Sequence, residues 1–585
     1  MGFSLIFGLF FSIFLLIQHA QAYNIGIGKS DITGPAAKIV MMGFADSSET
    51  TAGILNRQYA RAFLIEDADT NNRVMFVHCD LMAKIVNGIM EAIDAAHNSV
   101  EKGAIRWNKG EVAKALYDSS IDTTMRALHF FNDAGKLRGV LAFYPVHPTS
   151  LTGKNHLISG DNKGYAEFLL EDELDDVIVG IGIANAGDVS PNLIDNGNGH
   201  FVSAEIIGKR QYDTLSALIE GDSELIEGST VANLSYVDFS KVKLTGINAT
   251  ADNPYADRTC PAVLGQNFGA GTEDGRGVGG FTEGNLKTNK LFKTMGAIIK
   301  KTPQWVQHCQ NANKVPLLAV GLMEPKPWVP TILPVQIVKI GQFGIAVTNF
   351  ETTTMSGRRI RRTVKEALEG AGVTEVELAS VSNGYAGYMT TKEEYLTQHY
   401  EGASTLFGPN QLAAVQQELA RVAASVVDAS VPLDVGPTPL QMNRESLATL
   451  DTGVVFDTAP LLRSFIYVRT QPSDSYPVGS VASAVFAGAH PRNGLMLVSS
   501  FCDVQKLDSN GDYTTVMTDA HWDLRYHWER KLVSESKNTC EWNIRPGGRT
   551  SVPGKYRFVH RGYSKNLLGK LKPYTATSDM FSVAS

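Results

Sequence analysis

The sequence predicts an α/β domain followed by a C-terminal β-sandwich, on three observations. Up to about residue 430, apolar runs that read as strands alternate with stretches of helical spacing. Around residues 431–440 the composition shifts to Pro, Gly and Thr, which reads as a linker. Beyond it only short alternating runs with turn signals occur, and no strong helical pattern. A chain of 585 residues has room for two or more domains and a large core.

Residues 5–17 are apolar but too short to span a bilayer comfortably, and Ala20 and Ala22 form a small-residue cleavage pattern. This predicts a signal peptide over 1–22, a mature start at Tyr23 and a secreted protein; an uncleaved anchor is the alternative. Residues 23–40 read as a short strand and a loop, 60–65 and 73–79 as strands, and 82–99 as a helix. A strand over 137–146 ends where His147 meets Pro148. The apolar run 177–184 reads as a buried strand leading into Asn185-Ala186-Gly187-Asp188-Val189-Ser190-Pro191-Asn192. Residues 203–219 form an amphipathic helix. The glycines of 260–285 lack the strand-then-helix setting of a nucleotide loop and predict a long ordered loop near a binding site. Strands are predicted over 331–340, 344–348 and 375–381, and helices over 357–370, capped by Ser356, and 411–427. In the C-terminal part, 495–502, 513–517, 539–544 and 556–560 read as strands.

Hydrophobic residues are 43% and charged residues 19%, an ordinary globular composition. The net charge of −7, without a long basic run, argues against nucleic acid as a partner. Of five cysteines, Cys260 and Cys309 flank the Gly-rich stretch and Cys502 and Cys540 share the C-terminal region, which suggests two disulfides. Cys79, in an apolar strand, is left as a buried thiol. Sequons at Asn233 and Asn248 fit an exported glycoprotein.

Four residues follow strand ends: His147, Ser190, Glu351 and Tyr388. If the strands share one sheet, these side chains can meet at its edge. His, Glu and a phenol offer N and O donors suited to Zn²⁺, and a serine on a tight turn can be a nucleophile. Each also has a structural reading. Ser190 can belong to a polar turn, His147 can be a core histidine, Glu351 can pair with Arg358 or Arg359, and Tyr388 can be packing.

Taken together, the motifs resemble the neutral ceramidase family over most of the mature chain. The resemblance is carried by Met41-Met42-Gly43-Phe44, residues 53–63, His156-Leu157-Ile158-Ser159-Gly160-Asp161-Asn162-Lys163-Gly164-Tyr165, residues 187–192, Thr353-Thr354-Met355-Ser356-Gly357-Arg358-Arg359, Tyr400-Glu401-Gly402-Ala403-Ser404-Thr405 and Asp519-Ala520-His521-Trp522. It implies a catalytic domain over 23–435 and an immunoglobulin-like β-sandwich over 436–585. It implies a zinc amidase that hydrolyses ceramide, drawn from a membrane surface, to sphingosine and a fatty acid. It assigns zinc to His147, Glu351 and Tyr388, catalysis to Ser190, assistance at the site to Tyr400 and a calcium position to Asp519.

Three stretches depart from the family pattern. A His-Thr-His-Ser-Gly-Pro-like stretch, which supplies a further zinc histidine, has no counterpart between Asp80 and Ile93, and His97 matches a helix position instead. An Asn-Arg-Ser-Pro stretch is replaced by residues 112–120, and His521 and Leu524 stand where the family has hydroxyl residues beside Asp519. The alternatives are an alternatively spliced form of an active enzyme, a pseudoenzyme that binds ceramide without cleaving it, and an exported adhesion module with no chemistry.

Overall fold

The computed structural model describes residues 23–584 apart from 42–47, 81–85, 113–120, 192–199, 273–274, 276, 278–280, 288–295, 297, 442–452 and 549–550. The expected signal peptide, Met42 to Phe44, Gly279 and Gly280, and most of the stretch replacing Asn-Arg-Ser-Pro lie outside the described residues.

Residues 23–427 form four layers. The first sheet runs in the order Arg73–Cys79, Tyr59–Asp67, Tyr23–Asp31, Glu101–Glu111, Thr124–Asn132, Leu137–Tyr144, Ile178–Ile183, with Glu224–Leu225 beside Glu101–Glu111. Its pairings are antiparallel except the last, Leu137–Tyr144 with Ile178–Ile183, which is parallel. The second sheet runs Thr230–Asp238, Ile332–Ile340, Phe343–Val347, Glu375–Ala379, and again only the last pair is parallel. The sheets face each other across one core, in which Phe63, Phe130 and Leu128 of the first meet Val338, Phe343 and Ile345 of the second. Helix Val86–Asn98 covers the outer face of the first sheet with Ala92 and Ala96, and helices Asp161–Glu173 and His200–Glu220 cover the rest of it. Helices Thr354–Ala367 and Gln411–Val427 cover the second sheet through Ile360, Val364, Leu419 and Val422. The condition that one sheet carries the whole site is therefore corrected. Two sheets share it, because each hides one face against the other and one beneath helices.

Several expectations shift. Helix Thr354–Ala367 starts three residues before the expected Gly357, with Thr353 rather than Ser356 at the cap position. Helix Asp161–Glu173 shows no clear amphipathic stripe because its buried face mixes polar and apolar groups: Asp161, Asn162, Lys163 and Glu167 are buried beside Ala166 and Leu170. Strands Glu101–Glu111, Thr124–Asn132 and Thr230–Asp238 were not expected. The expected strand over 495–502 instead starts at Cys502 and runs to Leu507, since Met496 adopts φ 57° in the preceding connection. The stretch read as a linker lies along an edge strand, where Val435 O accepts from Tyr236 N at 2.7 Å. Among the described residues, no helix is long and apolar enough to cross a membrane.

The C-terminal region has two further sheets. One runs Val468–Thr470, Val481–Phe486, Ser536–Asn543, Leu524–Arg530, and is extended by Gly53–Ile54 from the N-terminal part. The other runs Ser475–Pro477, Phe581–Ala584, Gly554–Lys565, Cys502–Leu507, Tyr513–Thr518, with Leu571–Thr577 beside Gly554–Lys565. Trp542 and Tyr526 of the first pack with Phe558 and Phe581 of the second in one core. The Cys502–Cys540 disulfide joins the two sheets, and Cys260–Cys309 is the second bridge. Cys79 is free and half-buried, its thiol pushed up to about 11 by burial. Asn248 is exposed, whereas Asn233 sits within a strand and donates to Ser425 Oγ at 2.8 Å.

Asp519 does not stand open to a cation. Its carboxylate accepts from Arg57 Nε at 2.7 Å, from the second Arg57 guanidinium nitrogen at 3.2 Å and from Phe501 N at 2.8 Å, with no exposed surface. A guanidinium on both oxygens repels calcium, so the calcium assignment is corrected to a buried ion pair between the N- and C-terminal regions. Asp519→Asn should therefore lower unfolding stability by about 3 kcal/mol or more, because Arg57 keeps a buried charge with only Asp31 to balance it. Replacing both partners by apolar residues should recover most of that loss, as read by denaturant unfolding.

Candidate active site

The site lies where the two parallel strand pairs end. Leu137–Tyr144 leads to His147 and Ile178–Ile183 to Ser190, from the first sheet; Phe343–Val347 leads to Glu351 and Glu375–Ala379 to Tyr388, from the second. Parallel neighbours finish at the same edge, so each sheet delivers two side chains there. The edges are joined directly by Ser380 N donating to Ile183 O at 3.0 Å.

Polar residues of helix Asp161–Glu173 fasten the His147 strand end. Asn162 Nδ2 donates to His147 O at 2.9 Å, and the Asp161 carboxylate accepts from Ser150 N and Leu151 N at 3.0 and 2.8 Å. Lys163 Nζ donates to Tyr144 O at 2.9 Å; burial pushes its amine down to about 7. These buried polar groups spend their hydrogen bonds on the backbone that aims His147.

The Ser190 turn is clamped between both sheets. His147 N donates to Val189 O at 3.2 Å, and Gly187 N donates to Thr352 O at 2.8 Å. A Cβ on Gly187 would stand 2.8 Å from Glu351 O, so only glycine permits this approach. Asp188 Oδ1 accepts from Thr354 N at 2.7 Å and Thr354 Oγ1 at 2.8 Å, capping helix Thr354–Ala367 from another part of the chain.

Glu351 and Tyr388 are register partners in a two-residue parallel pairing, Glu351–Thr352 with Tyr388–Met389. His147 Nε2 lies 2.7 Å from Glu351 Oε2, and Tyr385 OH donates to Glu351 Oε1 at 2.5 Å. Burial raises the Glu351 carboxyl, but hydrogen bonds and charge from His147, with help from Tyr385 and Tyr388, hold it below the usual carboxylate range. Burial and the Glu351 charge push the Tyr385, Tyr388 and Tyr400 phenols far up. The Tyr388 ring stands 6.5 Å from the His147 ring and 5.4 Å from that of Tyr400, which stacks on Phe268. Arg358 and Arg359 point elsewhere, to Ile121 O and Glu393, so the pairing reading for Glu351 does not hold. The structure thus brings His147, Glu351, Tyr388 and Tyr400 together beside the Ser190 turn, and Asp519 lies apart from them at its ion pair.

Tyr385 and Glu401 have no separate signal in the sequence, although both sit inside stretches that already attract notice. Burial raises the Glu401 carboxyl to about 7, with Glu283 and Asp188 adding to it. A folded value above the unfolded one gives stability that is full below about pH 4.5 and lost as pH rises through about 7. Glu401→Gln should therefore remove up to about 3 kcal/mol of pH-dependent stability between pH 4.5 and 8. Parallel unfolding curves of both proteins across that range check it.

Among the described residues, two groups of His, Cys or carboxylate place ligand-type atoms within 4.8 Å of each other. One contains the bonded Cys502 and Cys540. The other, His78, Asp80 and Glu167, surrounds the Arg61 guanidinium, 3.0 Å from Glu167. Burial alone lowers His78, yet Glu167 and Asp80 raise it to about 9, so with Arg61 in place the group forms an ion-pair network. His97 is exposed in the last turn of its helix and lies outside any such group.

Known proteins share this fold and sequence pattern. The family model for "Neutral/alkaline non-lysosomal ceramidase, N-terminal" matches residues 23–84 and 81–417, and the corresponding C-terminal model matches 419–583. Neutral ceramidase of Pseudomonas aeruginosa is 33% identical, covering 93% of this chain and 92% of that protein. Neutral ceramidase B of Dictyostelium discoideum is also 33% identical, covering 96% and 94%. That second match extends over 685 residues, more than the 585 of this chain, so the relative carries stretches without a counterpart here. The N-terminal family match comes in two segments that meet at residues 81–84. The crystal structure of the Pseudomonas aeruginosa neutral ceramidase superposes with a TM-score of 0.85 at 30% identity, over 97% of this chain and 99% of that one. A structure described as "Ceramidase complexed with C2" gives 0.87 at 31%, over 96% and 99%. With both family models in order along nearly the whole chain and the same fold in solved ceramidases, this chain belongs to the neutral/alkaline non-lysosomal ceramidase family.

Proposed function

We propose that this chain is an exported zinc-dependent amidase that hydrolyses the N-acyl bond of ceramide, releasing sphingosine and a fatty acid. The observation that carries this reading is the convergence of His147 Nε2 and the Glu351 carboxylate, with Tyr388 in register, beside the Ser190 turn. That donor set, one imidazole nitrogen with carboxylate and phenol oxygens, fits zinc. His147, Glu351 and Tyr388 would hold the ion, which would supply Lewis-acid polarisation of the amide carbonyl. Ser190 supplies the catalytic hydroxyl from a turn whose backbone is held on both sides. Tyr400, whose phenol burial keeps protonated at neutral pH, donates a hydrogen bond to the developing oxyanion. The substrate class follows the named relatives. The two C-terminal sheets are read as an immunoglobulin-like sandwich, supported by the disulfide between them.

A second reading follows from the sequence, in which the further histidine stretch has no counterpart between Asp80 and Ile93. On that reading the chain binds ceramide and turns none over. Purified protein decides between them. Stoichiometric zinc with release of sphingosine sinks the binding-only reading; ceramide binding with neither zinc nor turnover sinks the amidase. Sequencing the transcript across Asp80 to Ile93 tests whether a longer form carries the missing stretch.

A further inference from the structure

Three loop tips of the C-terminal sheets each expose a pair of aliphatic side chains. Leu461 and Leu462 are 90% and 94% exposed, Leu532 and Val533 63% and 92%, and Leu567 and Leu568 79% and 92%. The tips are distant in sequence but tied together by backbone. Thr458 N donates to Ser534 O at 3.0 Å, and Asp457 N donates to Lys565 O at 2.8 Å. Residues 531–535 turn between Leu524–Arg530 and Ser536–Asn543 in one sheet; 566–570 turn between Gly554–Lys565 and Leu571–Thr577 in the other. The segment at 457–458 straddles both turns, so the three tips lie along one end of the paired sheets.

Each aliphatic pair also has a cation beside it in the chain: Arg463 after Leu462, Lys531 before Leu532, and Lys565 and Lys570 around Leu567-Leu568. The nearby acids are engaged: Asp457 is buried and accepts from His490 N and Asn493 Nδ2, and Glu535 pairs with Arg469 and, at 3.8 Å, with Lys531, which among the described residues leaves Arg463, Lys565 and Lys570 as the cations not paired to an acid there. Grouped exposed aliphatics mark a surface that meets something apolar. Aliphatic tips ringed by cations suit an anionic bilayer, where the side chains enter the acyl boundary and the cations meet headgroups. A second copy of the same end would oppose like charges, which disfavours self-association.

We propose that this end of the C-terminal region docks on anionic lipid bilayers through the three loop tips. The idea deepens the amidase reading, and rests on it for its purpose, by naming the face through which the chain reaches a membrane-borne substrate. The test is flotation of the full chain with vesicles of phosphatidylcholine and phosphatidylserine. Leu567→Ala with Leu568→Ala should lower partitioning by about tenfold or more, because each leucine loses most of its buried apolar surface. Lys570→Glu should weaken binding at low salt and much less at high salt. All three residues lie at an exposed turn, so melting curves should match the wild type. Wild-type protein that does not float, or tip variants that float equally well, would overturn the proposal. So would a dimer that the tip substitutions dissociate while flotation is unchanged. Hydrolysis of a water-dispersible short-acyl ceramide reads the amidase separately: tip-dependent flotation without hydrolysis supports docking and overturns the amidase reading alone.

Discussion

Ser190→Ala is expected to lower ceramide turnover by at least roughly 10³-fold while zinc content stays unchanged. The physical case rests on how the turn is held. It is held by His147 N donating to Val189 O, by Gly187 N donating to Thr352 O and by the Asp188 carboxylate accepting from Thr354 N. Removing one hydroxyl leaves these three bonds in place, and an unchanged melting temperature and zinc content would show that the site is intact. A loss of rate then reports chemistry at Oγ rather than collapse of the site. Turnover within tenfold of wild type, measured as sphingosine release, would return Ser190 to the role of a polar turn residue.

The second large effect is expected at Glu351. Glu351→Gln keeps the shape but removes the anion that faces His147 Nε2 and the Tyr385 hydroxyl. Zinc affinity should fall by at least roughly 10²-fold, since even partners one shell further out cost 10–100-fold. An independent readout exists in the metal-free protein. The Glu351 charge helps to push the Tyr385 and Tyr388 phenols up, so both should titrate at lower pH in the variant. Ultraviolet titration of tyrosinate together with elemental analysis for zinc checks both parts. Unchanged zinc content would remove Glu351 from the ligand set.

Much of the site was legible in the chain because strand ends leave a plain mark. An apolar run that stops at His147-Pro148, or at Gly187-Asp188 before Ser190, signals a residue held at the edge of a rigid sheet. The four candidates His147, Ser190, Glu351 and Tyr388 do follow strand ends, two from each of two sheets. The cysteine arithmetic was equally local, and the two suggested bridges are those present. Helix Gln411–Val427 could be read from its apolar stripe with the bounds it has.

What could not be read were features that depend on partners remote in sequence. Helix Asp161–Glu173 buries polar side chains against the backbone at His147, so it shows no amphipathic pattern. The cap on helix Thr354–Ala367 comes from Asp188, far away in the chain, which is why a local serine looked the better candidate. Asp519 looked like an open carboxylate until Arg57, from the other end of the chain, took both of its oxygens. The residue pattern carried the strand ends at His147, Ser190, Glu351 and Tyr388, the stripe of helix Gln411–Val427, the suggested thiol pairs and the family resemblance. Only the tertiary structure decided that two sheets build the site, and that Tyr385 shares the Glu351 carboxylate. It alone decided that Asp519 is an ion pair and that three aliphatic tips converge. The reason is physical: periodicity encodes which face of an element is apolar, whereas hydrogen bonds and ion pairs between distant segments exist only once packing brings them together.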